Sequence, residues 1–412
     1  MLKVAFIVNH FPLLSETFIL NQITGLLERG HQVDIYTCTP GDLTKVHPDV
    51  EKYCLLKRTY YLPEIPQNFL KRSLKAIGLL SINFTKAPRK LLRSLNGFKY
   101  GKSATSLRLF YAAIAGADKG AYDIVHCQFG TLSFWGMLFR TINAPQAKLV
   151  VSFRGYDISQ FIQEHGDRIY DRTFVEADLF LPNCDFFKRR LLKLGCDEKK
   201  ICVHYSGIDC DRFQYTPRYR HSHQKICIAT IGRLVEKKGI EYSIRAVAKI
   251  VKSCPNLEYK IVGCGSLQTE LEQLIQELEL NNIVHLLGKK NRQEIIEVLQ
   301  ASHIFIAPSI TARDGNQDAP VNVLKEAMAI GLPVISTYHG GIPELVEDCV
   351  SGFLVPERDA EAIASKLQYL IAHPEIWNII GAAGRERVEK YFNMQNLNDE
   401  LVDIYQKVSS EE

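Results

Sequence analysis

The sequence lacks the features that define several large protein classes. No stretch of its 412 residues approaches the roughly 18 consecutive apolar residues that a membrane span needs. The apolar run after Lys3 stops at Asn9, with no small-residue cleavage site after it. The eleven cysteines are odd in number and form no Cys-x-x-Cys pair. We therefore expect a cytoplasmic protein with no signal peptide, no zinc site and free, mostly buried thiols.

The composition is that of an ordinary globular protein. Hydrophobic residues make up 46% and charged residues 23% of the chain, which excludes a disordered or collagen-like protein. At about 100–200 residues per domain, this length predicts two or three domains. Short β-branched runs alternate with helical patterns on both sides of a polar stretch at 209–224. This alternation predicts two α/β units with parallel sheets, 1–208 and 225–390, joined by a linker at 209–224.

Twelve strands are predicted from these runs. They lie at 2–8, 33–38, 124–127, 149–153, 179–182 and 201–205, and then at 226–231, 259–262, 284–287, 304–307, 334–337 and 353–355. The last residues, 391–412, are predicted to form a helix. Their apolar pattern does not decide which unit that helix packs on.

Residues 57–108 differ from the rest of the chain in charge. They hold twelve basic residues and one acid, Glu64, a net charge of +11 in a chain whose total is +4. Leu70, Leu74 and Ile77 place an apolar stripe beside these cations, as in a helix that lies on a membrane surface. A solvated helical face on an insertion explains the pattern equally well. Nucleic acid explains it less well, because no RNA- or DNA-binding motif accompanies it.

The most informative block is 315–333. Pro320 suits the first position of a helix and Gly331 the position after its end, which predicts a helix over about 320–330. Asp318 precedes this helix and Glu326 lies two turns into it. A helix N-terminus offers free N–H groups to an anion, and carboxylates accept hydrogen bonds from sugar or ribose hydroxyls. Helix capping is the alternative interpretation of the two acids.

A second block, 232–239, follows a predicted strand and precedes a helix. Its Arg233 and Lys238 lie where open α/β sheets bind ligands and could neutralise a diphosphate, although a solvated lysine-rich turn is the alternative. Gly263-Cys264-Gly265 lacks the third glycine of a dinucleotide fingerprint. Asp209-Cys210-Asp211 is better explained as a turn than as a metal site. No metal is predicted.

Taken together, these blocks resemble the retaining family 4 glycosyltransferases. The matching second-half residues are Gly232-Arg233-Leu234, Glu236-Lys237-Lys238-Gly239, Val262-Gly263-Cys264-Gly265, Leu287-Gly288, Pro308-Ser309, the Asp318 to Glu326 spacing, Gly340-Gly341-Ile342-Pro343-Glu344 and Gly352-Phe353-Leu354-Val355. The matching first-half residues are Phe11-Pro12, Ser15-Glu16-Thr17-Phe18-Ile19, Val151-Ser152-Phe153-Arg154-Gly155-Tyr156-Asp157 and Gly207-Ile208-Asp209. The first-half residues look most like the exopolysaccharide-assembly members, including the colanic-acid type. Residues 57–108 lie outside the resemblance.

The resemblance implies an α/β protein of GT-B architecture, with two Rossmann-like domains facing across a cleft. Arg233 and Lys238 would bind the donor diphosphate, Glu326 the nucleotide ribose, and Asp318 the hydroxyls of the transferred sugar. Further donor-binding residues would be Gly232, Gly265, Gly288, Pro320, Val321, Asn322, Gly340 and Gly341. The first domain would present the acceptor, with Glu16, His126, Arg154 and Asp157 near the cleft.

The expected activity is transfer of a hexose from a nucleoside-diphosphate sugar to a glycan acceptor, lipid-linked, in exopolysaccharide or cell-surface polysaccharide synthesis. A UDP-hexose is the first choice of donor and GDP-mannose the second; no cofactor is expected. The basic segment 57–108 would place the protein on the inner face of the plasma membrane. The alternatives are a catalytically silent nucleotide-sugar-binding partner and, less favoured, an NAD-dependent oxidoreductase.

Two residues depart from the family pattern. Asp318 stands where the family has a glutamate, so its carboxylate reaches one methylene less far. Arg154 stands where the family often has a histidine. Because a guanidinium stays protonated in proteins, Arg154 cannot act as a base, but it could bind a phosphate or carboxylate.

Overall fold

The computed structural model describes residues 1–13, 16–41, 43, 46–117, 119–220, 224–319 and 321–410. Two six-stranded parallel sheets form its core. The first sheet contains β1 Lys3–Phe11, β2 Gln32–Pro40, β3 Thr59–Tyr61, β4 Ile124–Cys127, β5 Lys148–Phe153 and β6 Leu179–Pro182. The second contains β7 Ile226–Ile231, β8 Leu257–Val262, β9 Val284–Leu286, β10 Ile304–Ala307, β11 Val334–Thr337 and β12 Phe353–Val355.

Helices connect the strands of each sheet. Those of the first unit are α1 Thr17–Glu28, α2 Pro48–Lys52, α3 Phe69–Asn83, α4 Pro88–Ser94, α5 Gly97–Tyr100, α6 Lys102–Thr105, α7 Arg108–Ala115, α8 Ser133–Asn143, α9 Gln160–His165, α10 Asp171–Glu176 and α11 Asp185–Lys193. Those that follow are α12 Ile240–Ile250, α13 Gln268–Glu277, α14 Arg292–Gln300, α15 Asn322–Ile330, α16 Ile342–Leu345, α17 Ala360–Ala372, α18 Trp377–Tyr391 and α19 Met394–Ser410.

The strand order has the same form in both sheets. It is β3-β2-β1-β4-β5-β6 in the first and β12-β11-β10-β7-β8-β9 in the second. The direction of connection reverses beside β1 and β7, and open α/β sheets bind ligands at the carboxyl ends of the strands at this point. The expectation of two Rossmann-like units is therefore confirmed. The loop after β1 in the first unit and the loop after β7 in the second lie at the edge where such sheets bind ligands.

One predicted strand was wrong, and one observed strand was not predicted. Residues 201–205 form only an isolated bridge, between Ile201 and Phe180, because the chain then leaves the sheet to reach the second unit. There the backbone carbonyl of Ser206 accepts a 2.7 Å hydrogen bond from Lys325 Nζ of α15. Strand β3 was missed, since three residues are too few to show the two-residue alternation of a strand.

The predicted linker is packed rather than free. Phe213 is buried, and Arg385 of α18 donates to its carbonyl. The backbone N–H of Thr216 donates to Ile330 at 2.9 Å, and Arg218 donates to Gln300 at 2.6 Å. The described part, 209–220, therefore lies on the second unit, while 221–223 lie outside the described residues. The domain boundaries themselves stay a prediction.

The end of the chain bridges the two units. Helix α18 packs against α15 and ends at Tyr391. After two residues the chain continues as α19, which packs on the first unit. Leu401, Tyr405 and Val408 of α19 share a core with β1 and β4. The structure thus decides a packing choice that the apolar pattern left open.

Residues 57–108 form β3, helices α3 to α6 and the start of α7. Leu70, Leu74 and Ile77 lie on one face of α3 with 73%, 71% and 66% of their surface exposed. Leu91 of α4 is buried against α7 and α8. The segment is thus anchored on one side and exposes an apolar stripe on the other.

The cysteine thiols are free, as expected, but not all of them are buried. All eleven cysteines are free, but five are buried, three half-buried and three exposed, so the thiols are less buried than predicted. Among the described residues, no helix combines the length and apolarity that crossing a bilayer requires.

Candidate active site in the cleft between the sheets

A cleft separates the carboxyl edges of the two sheets and contains two adjoining cavities. Each has a volume of about 580 Å³, within the range of small-molecule sites. The first cavity is lined by both units, and the second extends along α14 and α15 of the second unit. The residues common to both cavities are Leu13, Gly232, Lys238, Asn322 and Val323. The side chain of Lys238 therefore stands at their junction.

Glycines hold the loop 232–239 in place. Gly263 has a φ of +145°, and a Cβ there would lie 1.8 Å from the carbonyl oxygen of Gly232. A Cβ on Gly265 would lie 2.3 Å from the carbonyl oxygen of Leu234. Gly265 and Gly288 do not line either cavity; the Gly288 carbonyl accepts from the Gly263 N–H at 2.9 Å. These glycines pack one loop on another, which accounts for them without a bound dinucleotide.

Asp318 lies at the centre of a buried charge cluster. Its Oδ2 is 2.7 Å from Lys238 Nζ and accepts from Ser309 Oγ at 3.0 Å, and its Oδ1 is 3.0 Å from Lys237 Nζ. Burial favours the neutral acid, but the two lysines outweigh it and hold the pKa of Asp318 well below its usual range. Burial in turn lowers the pKa of Lys238. Asp318 is therefore ionised at neutral pH. Lys237 was not predicted as a site residue.

A histidine and a second carboxylate position the Asp318 loop from behind. The Asp318 N–H donates to Nε2 of the fully buried His339 at 3.0 Å. Because Nε2 accepts, the imidazole proton is on Nδ1, which donates to Glu357 Oε1 at 2.6 Å. Glu357 also accepts from the Thr311 N–H at 2.7 Å. Sequence reasoning missed both residues, although His339 directly precedes the Gly340-Gly341 pair that was singled out.

That glycine pair packs on the same loop. Gly340 has a φ of +52°, and a Cβ there would lie 2.0 Å from the Asp318 carbonyl oxygen. The Gly341 N–H points at the same oxygen from 3.5 Å. Neither glycine lines the two cavities, so in this structure they shape the Asp318 loop rather than the cavity surface.

Glu326 and Arg292 face each other in the second cavity. Burial raises the pKa of Glu326, and the nearby Arg292 and Lys325 oppose the rise. Arg292 Nη1 lies 3.3 Å from His47 Nε2 of the first unit, and its buried Nε has no hydrogen-bond partner within the part of the chain that is described. Arg292 was not predicted, because nothing in the motif places it beside α15. It is a cation available to an anionic or polar ligand.

Helix α15 runs from Asn322 to Ile330 and is capped by Gly331, close to the predicted span. Val321 and Asn322 line the first cavity, and Asn322 Oδ1 accepts from Lys325 Nζ at 3.1 Å. Pro320 lies outside the described residues. Arg233 is exposed and lines the first cavity beside Lys238.

On the first unit, Arg154 and Glu16 line the cleft. Arg154 donates to Gln128 through two of its nitrogens, to Ser206 and to Gln22, and its guanidinium lies 4.6 Å from the ring centre of Phe18. Burial lowers its pKa to about 10, so it stays protonated at neutral pH. Burial raises the pKa of Glu16 to about 7, against the opposing charge of Arg154. Glu16 Oε2 is buried and has no partner among the described residues.

His126 and Asp157 lie behind the cleft wall and not in its lining. His126 is fully buried, with Nδ1 2.6 Å from Tyr405 Oη and Nε2 2.8 Å from Ser152 Oγ, and burial holds its pKa well below the usual value. Asp157 is 1% exposed and accepts from the N–H groups of Gly130, Arg154 and Gly155 at 2.8–2.9 Å. Asp157 thus shapes the loop that presents Arg154, and His126 ties β4 to α19.

The two units touch through helix α11 and Tyr205 of the first unit. Glu344 of α16 accepts from the N–H groups of Asp185 and Phe186 at 2.7 Å and from Tyr205 Oη at 3.1 Å. Further along α11, Arg190 donates to Gln317 at 2.7 Å. These contacts hold Arg154 and Asp318 within reach of one cavity. The described residues contain no group of three or more His, Cys, Asp and Glu side chains that could hold a metal ion.

The chain is similar to known glycosyltransferases over nearly its whole length. Its residues 15–212 match the model described as Glycosyltransferase Family 4, and residues 211–387 match Glycosyl transferases group 1. It is 34% identical to the putative colanic acid biosynthesis glycosyltransferase WcaL of Salmonella typhimurium, over 99% of this chain and 100% of that protein. It is 35% identical to the amylovoran biosynthesis glycosyltransferase AmsK of Erwinia amylovora, over 99% and 100%.

A solved structure has the same fold. The crystal structure of HepE from Anabaena in complex with UDP superposes with a TM-score of 0.72 at 18% identity, covering 99% of this chain and 100% of that one. The fold has two parallel sheets that face each other across a cleft, two family models match in tandem, and the relatives match over their full length. All three findings indicate the same family. The chain belongs to the family 4 glycosyltransferases and has the GT-B fold.

Proposed function

We propose that this protein is a retaining glycosyltransferase that moves a hexose from a nucleoside-diphosphate sugar to a glycan acceptor. The observation that supports this most directly is the position of Lys238 at the junction of a cavity lined by both units and a cavity lined mainly by the second. Its partner Asp318 lines the first of these cavities. In this proposal 1–208 present the acceptor, 225–390 hold the donor, 209–224 connect them and 391–412 form the terminal helix.

The reaction requires charge stabilisation more than proton transfer by a side chain. As the donor C1–O bond breaks, negative charge grows on the diphosphate, and Lys238 and Arg233 stabilise it electrostatically. The acceptor hydroxyl forms the new bond to C1 on the same face, and its proton passes to a diphosphate oxygen. Asp318 accepts hydrogen bonds from the sugar hydroxyls, and Glu326 accepts them from the ribose. No metal ion takes part in this scheme.

The acceptor side contributes orientation. The protonated Arg154 supplies a cation at the cleft. Its position is fixed by the hydrogen bonds that it donates to Gln128, Ser206 and Gln22. Glu16 has a pKa of about 7 and an unpartnered buried oxygen, so its ionised form can accept a hydrogen bond from an acceptor hydroxyl. Both residues therefore bind and orient, and neither needs to act as the base.

We place the reaction in exopolysaccharide or cell-surface polysaccharide synthesis. The support is the printed description of the relatives WcaL and AmsK, which assigns them to colanic acid and amylovoran biosynthesis. A UDP-hexose is the favoured donor, since HepE was solved with UDP, and GDP-mannose is the second choice. The acceptor is proposed to be lipid-linked, and the protein cytoplasmic and peripheral on the inner face of the plasma membrane.

Donor binding is tested by thermal unfolding with UDP-, GDP- and ADP-sugars beside NAD and NADP. One sugar nucleotide is expected to stabilise the protein, by about 2.7 kcal/mol when present at about 100 times its Kd. Glu326→Gln should lose most of this shift, because the half-buried carboxylate that lines the second cavity no longer accepts from the ribose. Glu297→Gln, an exposed glutamate on α14 outside both cavities, is the matched control. Stabilisation by NAD alone, or by nothing in the panel, would contradict the proposal.

Membrane attachment is tested with the exposed stripe of α3. Liposomes with anionic lipid should bind the protein and neutral ones should not, since each basic residue near an anionic surface contributes about 1 kcal/mol. Leu70→Ser with Leu74→Ser should release it in a co-sedimentation assay, and added salt should weaken it. Ile379→Ser on α18, where the side chain is 69% exposed, is the control. Binding that ignores lipid charge or survives the α3 changes would refute this attachment.

A further inference from the structure

A second open depression lies on the first unit, outside the cleft. Its volume is about 810 Å³, and it lies at the carboxyl ends of β2 and β3, between them and the first turn of α8. Its lining includes Thr39, Leu62, Glu64, Arg108, Phe134 and Trp135. Arg72 builds its rim, donating to the backbone carbonyls of Pro66, Gln67 and Ser106. The basic segment 57–108 therefore forms one wall of this depression.

The depression borders the cleft. Thr39 of β2 pairs with His10 of β1, and its hydroxyl is hydrogen-bonded to His10 Nδ1. Three residues after His10, Leu13 lines the cleft. Neighbouring strands lie about 4.8 Å apart, so the two openings are separated by roughly one strand. The connection after β4 likewise supplies Phe129 to the cleft and Trp135 to the depression. A chain of sugars with its end in the cleft can therefore extend into the depression.

The wall formed by α8 suits a sugar ring. Phe134 and Trp135 are both half-buried and present aromatic surface to the depression. One face of a pyranose is made of C–H groups that pack on an aromatic ring, while its hydroxyls accept hydrogen bonds at the rim. The indole N–H of Trp135 has no hydrogen-bond acceptor among the described residues and is not fully buried. It is thus a donor that a sugar hydroxyl can use.

Arg108 adds a preference for negative charge. Its guanidinium lies 5.4 Å from the ring centre of Phe134, and no carboxylate of the described chain pairs with it. Glu64, the acid on the opposite wall, is 88% exposed and lies 3.6 Å from Lys75, and the guanidinium of Arg72 lies on the same rim. An exposed arginine beside an aromatic wall matches a carboxylate or a phosphate on the bound sugar.

We infer that this depression is an acceptor subsite, in which a sugar unit remote from the reacting hydroxyl stacks on Trp135 while Arg108 binds an anionic group on the glycan. The subsite rests on the proposed transferase function and extends it to the acceptor. Trp135 and Arg108 then set acceptor affinity and specificity and take no part in bond making.

Intrinsic fluorescence gives a direct binding test. The chain has two tryptophans, and Trp377 is fully buried in the second unit with its Nε1 donating to Leu370, so a glycan-dependent change reports Trp135. The probes are a neutral glucose tetrasaccharide, a tetrasaccharide of the same length containing glucuronic acid, and glucose 1-phosphate. We expect a saturable change with an anionic probe and affinity at least about tenfold weaker for the neutral one. The stronger anionic probe identifies carboxylate or phosphate as the preferred group.

Variants separate the subsite from the donor site. Arg108→Gln should abolish the preference for charge, and Trp135→Ala should raise KM for the acceptor with little change in kcat, while Trp135→Phe restores part of the affinity. Fold integrity is read from an unchanged thermal shift with the donor. A donor shift without any saturable fluorescence change, or affinities unaltered in Trp135→Ala, would overturn the subsite alone. Equal affinity for neutral and acidic probes would overturn the role of Arg108. If no sugar nucleotide raised the thermal stability of the unmodified protein, the proposed function itself would be overturned.

Discussion

Replacing Lys238 by methionine should lower kcat by about 10²- to 10³-fold, the usual loss when one preorganised donor to a developing anion is removed. Lys238 Nζ stands at the junction of the two cavities, and methionine keeps the stem while removing the charge. The protein should stay folded, because Asp318 keeps its 3.0 Å contact with Lys237. Initial rates at saturating donor and acceptor measure the effect. Arg233→Ala should act in the same direction.

Lys237→Met is the matched control for this experiment. It removes the other lysine of Asp318, but Lys237 Nζ is held by Asn316 at 3.1 Å and its side chain does not line either cavity. Its loss of turnover should therefore be clearly smaller than that of Lys238→Met. Near-normal activity in Lys238→Met, or equal losses in the two variants, would remove Lys238 from the stabilisation of the leaving group.

Replacing Asp318 by asparagine should lower the free energy of unfolding at pH 7 by about 3–5 kcal/mol, the cost of breaking a buried ion pair. The change leaves the ammonium groups of Lys237 and Lys238 without their carboxylate in a site where Asp318 is 7% exposed. Chemical denaturation measures the difference. Asp314→Asn, on the same loop but exposed, is the control and should change stability little.

The stability difference between the unmodified protein and Asp318→Asn should decrease in acid. The pKa of Asp318 in the folded protein lies below its ordinary value of 3.8. The ion pairs therefore contribute fully above about pH 4 and lose their contribution as the pH falls through the lower folded-state value. The stability gap between the unmodified protein and Asp318→Asn should stay constant from pH 7 to 5 and narrow below pH 4. A gap that widened on acidification, or no gap at all, would contradict this assignment.

The residues predicted from motifs come together for a general reason. Arg233 and Lys238 follow β7, and Asp318 follows β10 after a short loop, and these two strands are neighbours in the second sheet. The carboxyl ends of parallel strands meet at one edge, so residues after adjacent strands converge even when they are 80 positions apart. Order and spacing along the chain were therefore enough to predict that Arg233, Lys238 and Asp318 lie together at the cleft, while their roles stay a prediction.

The partners of those residues could not be predicted in the same way. Lys237, His339 and Glu357 act through hydrogen bonds and ion pairs between loops. Arg292 reaches the cavity from a different helix. No periodicity or spacing encodes such contacts, because they depend on side-chain direction. Side-chain direction also explains why His126 and Asp157 lie behind the cleft wall, although the motifs predicted them near the cleft.

The chain's local patterns, strand runs and glycine-bounded loops, determined the two Rossmann-like units, the family and the meeting of Arg233, Lys238 and Asp318 at the cleft. These features depend on backbone conformation and hydrophobic period. Only the tertiary structure decided that α19 returns to the first sheet, that Asp318 pairs with two lysines, and that the basic segment walls a depression beside the cleft. These features arise from packing between distant segments, whose energy depends on complementary shape and charge and not on any local pattern.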